Sequence, residues 1–203
     1  PMTLDGKGAL SLNCIELIKS GFFAILPNDK KGRVALLHNR FFLNDHLVSH
    51  GAQDRIRCGF YIFSLMAERE ESQLHGFVGT AVYGDNDTSL TYSREFVRGM
   101  VSLLECGAMP FKLKAIHFVY PSQKKAFLHR VLSRTLNIVG SWDFMEKRTV
   151  VHSFEKVIDL MQELDKYGFE KDNTPEYLGG NWKYEYFTQM LEERARNEKS
   201  LYG

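Results

Sequence analysis

Lys124, Lys125, His129, Arg130 and Arg134 stand among Phe127, Leu128, Val131 and Leu132 in the segment SQKKAFLHRVLSRTL. On a helix, Phe127, Leu128, Val131, Leu132 and Leu136 form one apolar stripe, with His129, Arg130 and Arg134 on the other side. Lys124 and Lys125 fall at the N-terminal end, where the helix dipole disfavours cations, so local helix stability does not require them. Two readings stay open. One is a core-facing helix with a solvated face; the other is a basic amphipathic helix that lies on an anionic membrane surface.

Catalytic chemistry has little to stand on. The sequence has no P-loop, GxGxxG, HExxH or GxSxG. His117 sits mid-strand among apolar neighbours and reads as a core histidine satisfied by a backbone partner, since no acid or nucleophile stands at a matching spacing. Cys106 and His117 could be imagined as a thiol–imidazole pair, but nothing places a third group. Asp85 and Asp87, in GDNDTS, suit local backbone hydrogen bonds better than a metal ion. No enzyme, metal or organic cofactor is expected.

The whole chain narrows the field further. Its 203 residues suffice for one domain with a real core, and 44% hydrophobic residues is ordinary for a globular protein. A net charge of +1 gives no global field for nucleic acid, so any basic surface must be local. Cys14, Cys58 and Cys106 are too far apart for a zinc motif and odd in number, which favours reduced, buried thiols in a cytosolic setting. The opening PMTLDGKGAL has no apolar h-region, so no signal peptide is expected. No run of about 18 apolar residues could span a bilayer.

The elements that must position these residues alternate. LNCIELIKSG predicts a short helix closed by Gly21. FFAILP and RVALLH predict strands around the turn NDKKG. DRIRCGFYIFSLMAERE predicts a largely buried helix. HGFVGTAVYG predicts a strand of small residues, where glycine lets a backbone or ligand come close. SREFVRGMVSLLECG carries Phe96, Val97, Met100, Leu103 and Leu104 on one stripe, with Ser93 as N-cap and Gly107 as the stop. Strands follow at AIHFV and KRTVVHS. SFEKVIDLMQELDKYG predicts a helix with Phe154, Val157, Ile158, Met161 and Leu164 facing in. TQMLEERARNEKS predicts a charged terminal helix that frays. Strands alternating with helices imply an α/β fold with a mostly parallel sheet.

Three stretches, in order, carry a resemblance. MPFKLKAIHFVYPS resembles the central strand of the CRAL-TRIO family, which includes phosphatidylinositol/phosphatidylcholine exchange proteins, tocopherol-transfer protein and retinaldehyde-binding protein. GFFAILPNDKKGRVALLHNRFF resembles the family's opening hairpin, and TPEYLGGNW its closing loop. The likeness covers roughly residues 10–183, with 184–203 left as a charged C-terminal helix.

The resemblance implies a sheet floor, flanking helices and a gate helix over an apolar lipid pocket. It assigns SQKKAFLHRVLSRTL to the gate. It implies a protein that binds a phospholipid or other lipid and exchanges or presents it at membranes, as a cytoplasmic, peripheral protein. The alternative within the same fold is an interaction module for a small GTPase or signalling partner. A pocket is needed because a 16-carbon chain exposed to water costs on the order of 12 kcal/mol, at about 0.8 per methylene. By alignment with tocopherol-transfer relatives, the lining is expected to include Ile56, Phe63, Phe77, Ala81, Val101, Leu104, Phe111, Leu113 and Ile116. Phe127, Leu128 and Val131 would come from the gate. These residues should surround one cavity, on the order of several hundred Å³. Lys124, Lys125, Arg130, Arg134, Lys147 and Arg148 would meet headgroups and an anionic membrane. Phosphatidylinositol-binding members carry a glutamate where this chain has Phe111, and a lysine at about Arg148. Only the basic half of that headgroup pair is present, which leaves a more apolar ligand or another phospholipid open.

Overall fold

Polar side chains punctuate the chain where the elements begin and turn. The computed structural model describes residues 3–4, 9–39, 50–83, 93–107, 109–122 and 145–202. Helix α1 (Leu12–Lys19) opens where the Ser11 hydroxyl accepts from the Cys14 amide, 3.1 Å away. It closes at Gly21, whose φ of +74° is cheap only for glycine. Strands β1 (Phe23–Leu26) and β2 (Val34–Asn39) are joined by a turn built on Asp29. The Asp29 carboxylate accepts from the amides of Lys31 and Arg33, both at 2.9 Å, and from the Arg33 guanidinium at 2.7 Å.

Helices α2 (Ala52–Ala67) and α3 (Glu70–His75) lead into β3 (Phe77–Val82). Helix α4 (Arg94–Glu105) is capped as expected, with the Ser93 hydroxyl accepting from the Phe96 amide. Strands β4 (Leu113–Pro121) and β5 (Thr149–Phe154) precede helix α5 (Val157–Asp165), two short 3₁₀ turns (Lys171–Asn173 and Glu176–Leu178) and helix α6 (Tyr184–Tyr202). In the closing loop the Trp182 amide donates to the Thr174 carbonyl at 2.9 Å.

The described strands form one sheet in the order β1-β2-β3-β4-β5; the β1–β2 pair is antiparallel and the others are parallel. This is the mostly parallel α/β architecture the alternating elements imply. Every residue of β3 is buried, as a strand covered on both faces must be. Register assigns the faces. Leu36, Gly79 and Ile116 lie side by side, as do His38, Ala81 and Phe118. Leu37, Thr80, His117 and Val150 share the opposite face. A bulge between Phe77 and Val78, opposite Leu113 and Ala115, sets this register.

Two helices differ from expectation. Phe154 ends β5 rather than opening a helix, and Ile158 is 61% exposed; the buried stripe of α5 is Leu160, Met161 and Leu164. Met161 and Leu164 face in as expected, whereas Val157 and Ile158, in the first turn, are exposed and Leu160 is buried instead. Helix α6 is docked rather than frayed. Phe187 and Leu191 are buried, and Glu198 accepts from the Tyr61 hydroxyl (3.0 Å), the Leu4 amide (3.0 Å) and Arg194 Nε (2.9 Å).

Candidate functional site

An apolar cleft lies between the sheet and helices α2 and α4. Leu36 and His38 of β2, Gly79 and Ala81 of β3, and Ile116 and Phe118 of β4 form its floor. Phe63 of α2 and Phe96, Val97, Met100, Val101 and Leu104 of α4 form its roof. Phe23, Phe77, Tyr83, Leu113 and Met145 complete the wall. Among the described residues of the wall there is no lysine, arginine, aspartate or glutamate.

The space has local causes. Gly79 and Ala81 keep the middle strand low. A β-carbon added at Gly79 would meet only Ile116, at an ordinary 3.6 Å, so the glycine serves the floor rather than a strained backbone. The helices interlock through two other glycines: Met100 lies over Gly59, and Ile56 over Gly99. At one end the rings of Phe63, Phe77 and Phe111 pack together, with centroids 5.3–6.0 Å apart. Elsewhere His38 stacks on Phe23 at 4.7 Å and leans on Phe96, whose ring also receives the Arg55 guanidinium at 5.6 Å.

Of the residues expected to line a pocket, the structure brings together Phe63, Phe77, Ala81, Val101, Leu104, Leu113 and Ile116. Ile56 packs instead in the α2–α4 seam, and Phe111 sits behind Phe63 and Phe77. The cavity measures about 130 Å³, smaller than the expected several hundred; Phe63 and Phe77 line one end of it, with Phe111 packed on them. Phe127, Leu128, Val131, Lys124, Lys125, Arg130 and Arg134 lie outside the described residues, as do Asp85 and Asp87. Lys147 is exposed; Arg148 is half-buried, and its Nε donates to the Leu113 carbonyl at 3.0 Å.

Residues 31–187 match the divergent CRAL/TRIO domain family. The chain belongs to that family. No curated protein matches the sequence. CRAL/TRIO membership carries lipid-ligand binding as its general activity, in domains that are generally not enzymes. Among the described residues no helix is long and apolar enough to cross a membrane.

Other wall residues of this CRAL/TRIO domain were not among the expected lining. Phe96, Val97 and Met100 were legible as an inward stripe but not as a wall. Gly79 carried a signal, a glycine inside a strand. Phe23, Leu36 and His38 had none, because the β1–β2 register that turns them toward the cleft is a pairing between segments.

The opposite face of the sheet holds a buried imidazole pair. His117 Nδ1 and His152 Nε2 are 2.8 Å apart, one nitrogen donating and the other accepting, with the rings stacked at an interplanar angle of 16°. Thus His117 is a core histidine, but its partner is a side chain rather than the backbone. Tyr167 and Phe169 meet the His117 ring edge-on at 5.1 and 5.0 Å. Burial, then the neighbouring His152 and Arg33, push His117 down from 6.5 to about 3, and burial also lowers His152. Both are therefore neutral near pH 7.

Cys106 cannot pair with this histidine. It is exposed at the end of α4, on the cleft side of the sheet, whereas His117 points to the other face. Its exposure also corrects the expectation of three buried thiols. Cys14 and Cys58 are buried, and burial pushes both thiols up, to about 11 for Cys14. Neither is primed as a thiolate. Among the described residues no group of three or more His, Cys, Asp or Glu could hold a metal ion.

Proposed function

We propose that this domain binds a small hydrophobic lipid in the cleft and exchanges or presents it at anionic membranes, as a cytoplasmic, peripheral membrane protein. The observation that carries the reading is the cleft wall itself: largely hydrocarbon and aromatic surface from four strands and two helices, without a lysine, arginine, aspartate or glutamate among its described residues. Such a wall favours the apolar part of a lipid and would strand a charged headgroup without a partner. Lys124, Lys125, Arg130 and Arg134, with Lys147 and Arg148, would supply the membrane contact, and Phe127, Leu128 and Val131 the apolar inner side of a gate. A bound lipid is the expected companion of the purified protein, with no other cofactor.

Lipid extraction and native mass spectrometry test this directly. A stoichiometric lipid should accompany the purified protein, or should load from mixed liposomes. A protein that carries none and loads none is not a lipid carrier.

A further inference from the structure

We infer that the ring cluster of Phe63, Phe77 and Phe111 is a plug that sets ligand length, so that this cleft takes a lipid whose buried part is short and compact rather than a full acyl chain. The inference rests on the lipid-binding reading above and adds a selection rule to it.

Strands β2, β3 and β4 run parallel and begin at Val34, Phe77 and Leu113. Phe77 and Leu113 therefore mark the N-terminal edge of the sheet, and His38, Ala81 and Tyr83 lie toward the C-terminal edge, where open α/β sheets receive ligands. The phenylalanines close the far end. Phe63 comes from α2, Phe77 from β3 and Phe111 from the approach to β4, so three separate elements converge on one spot. Their rings meet edge-on or tilted, and all three are buried. Phe63 and Phe77 face the cleft, while Phe111 backs them and keeps them from swinging away.

Volume then limits the guest. The cleft offers about 130 Å³. An apolar cavity of roughly 150 Å³ holds one benzene ring, whereas ordinary ligand sites run from about 300 Å³ upward. The room is that of a single ring or a chain of about six carbons. Beyond that length, added methylenes extend past the described walls and gain no contact from them. Within it, each buried methylene tightens binding about fourfold.

The experiment is a chain-length series. Straight-chain primary alcohols from hexanol to hexadecanol displace a fluorescent naphthalene probe from the full chain, for wild type, Phe77→Ala and the milder Phe111→Leu. In wild type, affinity should rise about fourfold per carbon to roughly six to eight carbons and then level off. In the variants the plateau should move to longer chains. A wild-type affinity that keeps climbing to hexadecanol overturns the plug, and this arm needs no variant to fold. An unchanged break point in a folded Phe77→Ala or Phe111→Leu overturns it too. If no alcohol binds wild type and no lipid loads from liposomes, the lipid-site reading itself falls, and the plug with it.

Discussion

At position 117 β4 carries an imidazole where its neighbours carry hydrocarbon, and β5 answers it with a second at position 152. The pair keeps its hydrogen bond only while at least one ring is neutral. One proton can be shared across the 2.8 Å contact, but a second leaves two cations face to face in a site sealed by Tyr167 and Phe169. The charged groups around it do not rescue that state. Arg33 opposes protonation of His117, Asp29 favours it but is already held by Arg33, and Glu163 favours it only at His152. Both histidines have folded values below their ordinary 6.5, so on acidification the unfolded chain takes up protons first. The contribution of His117 is complete above about pH 6.5 and is lost as pH falls toward 3, at up to ~1.4 kcal/mol per pH unit, and the lowered His152 acts in the same direction. Urea midpoints should therefore stay level above pH 7 and fall between pH 6.5 and 4. The double variant His117→Phe, His152→Leu should fall less steeply over that window. Equal slopes for the two proteins would remove the histidines from the acid response.

Helix α6 shows how an element polar on most of its surface can still be integral. Its charges include Arg194 and Glu198, four residues apart, an arrangement that on an isolated helix is worth only a few tenths of a kcal/mol. Here Glu198 is 3% exposed and also receives the Tyr61 hydroxyl and the Leu4 amide, while Arg194 reaches Glu68 beyond the end of α2 at 2.7 and 2.9 Å. The helix thereby ties the beginning of the chain and the back of α2, whose other side offers Phe63 to the cleft. Glu198→Ala leaves a buried hydroxyl and amide without their acceptor, which costs about 2–3 kcal/mol. Chemical denaturation should register that loss. A change below about 0.5 kcal/mol, the range of ordinary surface substitutions, would mean that the helix end is solvated.

At the scale of the whole molecule, a net charge of +1 cannot steer the protein toward a membrane, so the proposed docking would have to be local. Lys124, Lys125, Arg130, Arg134, Lys147 and Arg148 are six cations over a short length of chain, and each would contribute roughly 1 kcal/mol near an anionic surface. That strength suits transient contact. Lys124→Glu with Lys125→Glu should weaken sedimentation with phosphatidylserine vesicles at low salt, and wild-type binding should fade as salt rises. Equal binding by wild type and the double variant would leave these lysines as solubilising surface only.

Patterns of short range were enough to establish the α/β class, the mostly parallel sheet, the Ser93 cap and the Gly21 stop, because each depends on periodicity or on the conformational range of one residue. The glycine within β3 and the apolar stripe of α4 likewise announced two walls of the cleft. Tertiary structure decided what those walls enclose. The β1–β2 pairing turned Phe23 and His38 inward, and convergence of α2, β3 and the approach to β4 brought the three phenylalanine rings together beside a cavity of about 130 Å³. It also joined His117 to His152 and buried Glu198 under the chain's own beginning. The physical reason is common to all of these. A side chain's type and spacing record which way it faces, whereas its partner is set by which distant segment the fold brings opposite, and volume belongs to no single segment.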